Sequence, residues 1–175
     1  HNLLDVQRIP LLNKTFTYPN MQHKIRQTRY SIVHIASHGQ FNPNLQDTFL
    51  LTYNDKLSMN RLERLIRRTT LQEKQVELLT LSACETARGN DRAALGLAGV
   101  ALKAGAKSAL ATLWKVDDVT TPALIIEFYR QLTNPGLSKA QALQNAQKMM
   151  LNQKKYVPFR HPYYWSAFLL IGNWL

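Results

Sequence analysis

The sequence predicts an α/β fold, a mainly parallel sheet with helices on both faces, and two observations carry that expectation. Apolar runs of strand length alternate with helical patterns almost throughout, the signature of parallel strands joined by helical crossovers. With 175 residues, 45% of them hydrophobic, the chain can bury the core of one ordinary domain. Strands are expected near residues 30–36, 76–82, 107–113 and 166–171. A hairpin near 48–57 follows from "TFLLTYNDKLS", where Asn54-Asp55 is a turn signal between two apolar stretches. The whole chain, 1–175, reads as one domain, with residues 1–10 the tail of a preceding segment.

The helices declare their starts. Asn60 and Glu63 stand at capping-box spacing, Thr121 precedes Pro122, and Ser138 with Gln141 makes a second box. Helices are therefore expected over 61–68, 122–132 and 139–151. In the first of these, Leu62, Leu65, Ile66 and Thr69 share one face, while Arg61, Arg64 and Arg68 share another. A fourth helix, "RAALGLAGVALKAGA" over 92–106, has an unusually small surface. Each internal Gly costs about 1 kcal/mol against Ala, so Gly96 and Gly99 are expected to let the helix lie close against the sheet.

Twenty-two basic and eleven acidic residues give a formal charge of +11. That excess raises nucleic-acid or anionic-surface binding as a class. The charge is spread, however, and its densest stretch reads as the solvated face of a surface helix. No RNA-binding aromatic motif, zinc-finger spacing or Gly-rich phosphate loop accompanies it, so nucleic acid is not the expected partner. The lone cysteine rules out an internal disulfide framework and suits a reducing compartment. No stretch approaches the roughly 20 apolar residues of a membrane span, and the N-terminus lacks the order of a secretory signal. The expected setting is cytoplasmic, with no membrane partner. The chain begins with His1 rather than Met, so a processed piece or a part of a longer protein is expected.

Two strand ends draw attention. "SIVHIASHGQF" stops on His38-Gly39, and "ELLTLSACETARG" stops on Cys84. In open parallel sheets, ligands bind beyond the carboxyl ends of the strands, so neighbouring strands would bring His38 and Cys84 into one crevice. A free thiol with a pKa of about 8.5 is mostly protonated at neutral pH, and a nearby imidazole can take its proton. Cys84 would then attack an acyl carbon and His38 would return the proton to the leaving amine. The backbone N–H groups of Cys84 and Gly39 are the candidate donors to the tetrahedral oxyanion. The competing reading of Cys84 is a buried small hydrophobe. His34 and His38 are four apart, but on a strand pattern rather than a helix. No metal or cofactor is therefore expected, and His34 reads as a histidine hydrogen-bonded within the fold.

The segments "IVHIASHGQF", "LLTLSACETARG", "ALGLAGVALKAGAKSALATLWKVDD" and "HPYYWSAFLLIGNWL" together resemble the CHAT domain. This is a caspase-like peptidase family often found behind tetratricopeptide repeats in bacterial proteins. The resemblance runs from Leu11 to Leu175. It implies a three-layer caspase-like sandwich that lacks the first strand of the full domain. It also implies a cysteine endopeptidase with His38 as general base, Cys84 as nucleophile, and Gly39 with Cys84 as oxyanion donors. Separase-like relatives carry an acidic residue after a Trp-x-Val-x-Asp stretch, matched here by Trp114, Val116 and Asp118. That match implies an Arg or Lys at P1 held by Asp118, with Asp117 as the second choice. The alternative for Asp118 is to cap the helix that leads into Thr121-Pro122. The partners implied are a protein or peptide substrate and a tetratricopeptide region in the same or another chain. The alternative function is a catalytically silent module of the same family acting in protein–protein interaction.

Overall fold

The computed structural model describes residues 8–40, 42, 44–71, 75–83, 92–114 and 117–175. A four-stranded sheet is built from β1 (Ile32–Ser37), β5 (Leu78–Ala83), β6 (Ser108–Thr112) and β7 (Phe168–Gly172), in that spatial order. β1 pairs with β5, and β5 with β6, both in parallel. Helices flank this mostly parallel sheet, which makes the fold α/β. The strands stand within about two residues of their expected places.

Alternation along the central strands sorts the two faces. Ile35, Leu79, Leu81, Ala109 and Ala111 are buried and belong to one core cluster. That cluster also holds Leu62, Leu65 and Ile66 of α2 (Met59–Leu71) and Ala98, Ala101 and Ala104 of α3 (Arg92–Lys103) and the turn after it. Leu62, Leu65 and Ile66 are fully buried, so the apolar stripe of α2 lies where the sequence put it. The side chains of Thr69 and Arg68 lie outside the described residues. Truncation of such a leucine costs about 2–5 kcal/mol. α1 (Tyr18–Gln27) adds Met21 and Ile25 to the same cluster. Its start is fixed by Thr17, whose side chain accepts from the Asn20 N–H, followed by Pro19. This helix is not among those expected from the sequence.

A second, three-stranded antiparallel sheet has the order β2 (Gly39–Gln40), β3 (Phe49–Thr52), β4 (Asp55–Ser58). β3 and β4 form the expected hairpin, but the two loop residues are Tyr53 and Asn54, because Thr52 already faces Asp55. Asn54 adopts φ 59°, a left-handed conformation that Asn tolerates better than most residues. α2 begins at Met59, directly after β4 ends at Ser58. Asn60 therefore lies inside the first turn rather than at the cap, a correction to the capping-box reading. In α3 the buried alanines do lie close, whereas Gly99 is exposed and a side chain there would meet no described atom within 4 Å. The close-packing explanation fails at Gly99; the packing around Gly96 lies outside the described residues.

The chain divides into two compact units. One is Pro10–Lys115 with Leu169–Asn173, and holds both sheets and α1 to α3. The other includes Val116–Phe168 and Trp174–Leu175, with α4 (Thr120–Leu132) packed on α5 (Lys139–Asn152). Leu124, Phe128, Ala142, Ala146 and Met150 are fully buried. α5 starts with the expected capping box: Ser138 Oγ accepts from the Gln141 N–H, and Gln141 Oε1 accepts from the Ser138 N–H.

At the end of β7, Gly172 has φ +93°, and a Cβ there would stand 2.4 Å from the Lys107 carbonyl oxygen. The same carbonyl accepts the Asn173 N–H at 2.8 Å, so the backbone cannot move aside without losing that bond. Gly172→Ala is expected to destabilise the chain by more than about 1 kcal/mol, read as a lower urea midpoint. An unchanged midpoint would show that β7 tolerates a side chain there.

Candidate functional site

β1 and β5 run parallel in a register that sets Ile32 beside Leu78 and ends with Ser37 beside Ala83. His38 follows Ser37 in the chain and Cys84 follows Ala83. Cys84 itself lies outside the described residues, as does Val116. The described geometry thus reaches one residue short of the nucleophile candidate, and it reaches His38 fully.

His38 sits where the chain leaves one sheet for the other. Its carbonyl accepts the Leu51 N–H at 2.7 Å, and the neighbouring Ser37 hydroxyl donates to the Leu51 carbonyl at 2.6 Å. Two bonds to one residue of β3 therefore hold the backbone on which the imidazole is mounted, while the His38 side is exposed to solvent. A fixed backbone under an exposed side chain is what a group meeting a substrate needs.

Gly39 follows with a consequence of the antiparallel ladder. Because the Leu51 N–H bonds to His38, and Gly39 faces Leu50, Gly39 occupies a non-hydrogen-bonded position. Its N–H is directed away from β3. Gly39 is itself buried, and its N–H is not used by the β2–β3 ladder. The sequence signalled this residue only by its lack of a side chain.

Four residues upstream of His38, His34 Nε2 lies 2.8 Å from Ser82 Oγ across the β1–β5 pair. His34 is thus hydrogen-bonded within the fold. Ser82 was not singled out by the sequence; its only signal is a small polar residue inside an apolar run. The surrounding protein disfavours the imidazolium and pushes the His34 pKa from its ordinary 6.5 down to about 4. The residue keeps an open edge, which moderates that penalty without reversing it.

In the other unit, Asp117 Oδ1 accepts from the Val119 and Thr120 N–H groups, each at 2.9 Å. The Asp117 carbonyl accepts the Thr121 N–H at 3.0 Å. Asp117 therefore caps α4, because a carboxylate reaches N–H groups two and three residues ahead. Asp118 is exposed. Among the described residues, no group of three His, Cys, Asp or Glu stands close enough to hold a metal ion. No helix there is long and apolar enough to cross a membrane.

Residues 2–173 match the CHAT domain. Over 131 residues, 75% of its length, the chain is 33% identical to the human protein named tetratricopeptide repeat protein 28. It spans about 5% of the length of that relative.

The His34 geometry has a measurable sign. Unfolded His34 takes its proton near pH 6.5, folded His34 only near pH 4, so the unfolded state binds more protons between those values. Stability is expected to fall as pH is lowered through that window. His34→Gln, which cannot titrate, should flatten the fall in urea midpoint; an identical slope in the variant would contradict a depressed pKa.

Proposed function

Because the chain belongs to the CHAT domain family, we propose that it is a cysteine-type endopeptidase working through His38 and Cys84. One observation carries this reading: the β1–β5 register sets Ser37 beside Ala83, and His38 and Cys84 are the residues that follow them in the sequence. His38 takes the proton of the Cys84 thiol, and the thiolate attacks the carbonyl carbon of the scissile peptide. The resulting oxyanion is held by the N–H groups of Gly39 and Cys84. His38 then gives its proton to the leaving amine as the C–N bond breaks, leaving a thioester. Water, deprotonated by His38, attacks that thioester and restores the thiol.

The P1 side chain is basic, Arg or Lys, and Asp118 receives it. Two observations support this choice over Asp117: Asp117 is committed to the first turn of α4, and Asp118 is exposed. The natural substrate is a protein or peptide. A tetratricopeptide region, in this or another chain, targets or gates the domain, a reading supported by the name of the human relative. The cytoplasm is the proposed setting, since the sole thiol must stay reduced to act.

Hydrolysis of a positional peptide library tests this directly. Cleavage after Arg or Lys is expected, abolished in Cys84→Ala and slowed by about 10²- to 10⁴-fold in His38→Ala. Asp118→Ala should reduce the preference for Arg over Gln at P1 by about fivefold, the worth of an exposed ion pair. No turnover, together with alkylation of Cys84 no faster than a free thiol, would instead establish a catalytically silent interaction module.

A further inference from the structure

Immediately after Gly39, the second sheet and the loop before β3 enclose an open concavity of about 700 Å³. Its lining includes Gln40, Asn42, Asn44, Gln46, Asp47 and Lys56. The size falls within the range of ligand pockets. On a chain with 22 basic and 11 acidic residues, the described residues that line this concavity carry one charge of each sign and four side-chain amides.

The wall is rigid. Thr48 is 1% exposed; its hydroxyl accepts the Asn42 N–H at 3.0 Å and lies 3.2 Å from the Asn42 carbonyl. Asn42 Nδ2 donates to the Asp47 carbonyl, and Asn44 Nδ2 to Asp47 Oδ2. Asn44 Oδ1 accepts the Gln46 N–H. Lys56 Nζ lies 4.1 Å over the Phe49 ring, a cation–π contact that covers that face of the aromatic. Asn42, Asn44 and Asp47 thus shape the site. Among the described residues, no hydrogen bond engages the side-chain amides of Gln40 or Gln46, both exposed.

We propose that this concavity is a substrate subsite selecting an uncharged polar stretch of polypeptide, rich in Ser, Thr, Asn or Gln, next to the scissile bond. It rests on the peptidase reading above, because Gln40, which lines the concavity, is the residue that follows Gly39 in the chain. A polypeptide held at Gly39 can therefore extend over Gln40. Primary amides both donate and accept, which matches hydroxyl and amide side chains and peptide groups. A near-neutral lining gives no counter-charge to a run of acidic or basic residues. A glycan would use an aromatic face as well as amides, and here Lys56 occupies a face of Phe49.

The test uses the full chain with Cys84→Ala and fluorescent dodecapeptides holding one central Arg. The flanks are Ser/Thr/Asn/Gln, Glu or Lys, and anisotropy reads binding. The neutral polar flank is expected to bind best, and Gln40→Ala/Gln46→Ala to weaken it by roughly tenfold at an unchanged unfolding midpoint. Equal binding of all flanks, no loss in the double variant, or displacement by neutral oligosaccharides but not by the polar peptide would overturn the subsite. Turnover of the same peptides by the chain with Cys84 intact separates the two readings. Cleavage that ignores both flank and double variant overturns the subsite and leaves the peptidase. Flank-dependent binding without cleavage keeps the concavity as a site for polar peptide but overturns the peptidase and, with it, the role as a substrate subsite.

Discussion

The parallel register between β1 and β5 is the constraint on which the rest depends. A parallel pair cannot slip by one residue without turning each core side chain to the opposite face. Ile35, Leu79 and Leu81, all at most 2% exposed, forbid that slip. The register then ends Ser37 and Ala83 side by side, and the residues that follow them in the sequence carry an imidazole and a thiol. Core packing several residues away thus decides what can meet at the strand ends. The His34–Ser82 bond adds a polar tie to the same pair.

The hairpin of β3 and β4 supplies the second support. Leu50 and Leu57 are fully buried and face one another, which anchors the small sheet in the core cluster. From that anchored strand, Leu51 reaches out with both its N–H and its carbonyl to His38 and Ser37. The switch of the chain from one sheet to the other at His38 also turns the Gly39 N–H away from the ladder. One short stretch, residues 37–40, therefore holds the His38 backbone, turns the Gly39 N–H away from β3 and leads into the concavity.

Much of this was legible in the sequence, for reasons that can be named. Fully apolar runs such as "ELLTLSA" mark buried parallel strands, and Ser138 with Gln141 is a local cap that no tertiary contact needs to complete. The failures have the opposite character. β2 is two residues long and exists only because β3 pairs with it. α1 has a low apolar content beyond Met21 and Ile25. The α2 start was displaced because the chain passes straight from β4 into the helix. Asp117 and Asp118 are adjacent carboxylates, and only backbone geometry reveals which one faces the helix. Gly99 faces solvent rather than the sheet, and sequence shows that a glycine is present, never which way its face points. The concavity was invisible since Gln40, Gln46 and Lys56 come together through two sheet strands and a loop held by Thr48.

The central claim is that His38 activates Cys84. Because the chain holds a single cysteine, the rate of its alkylation by iodoacetamide as a function of pH reports one thiol without any substrate. The account predicts an apparent pKa well below the ordinary value of about 8.5 in the native chain, returning towards that value in His38→Ala. Superimposable profiles for the two proteins, with a pKa near 8.5 in both, would contradict it.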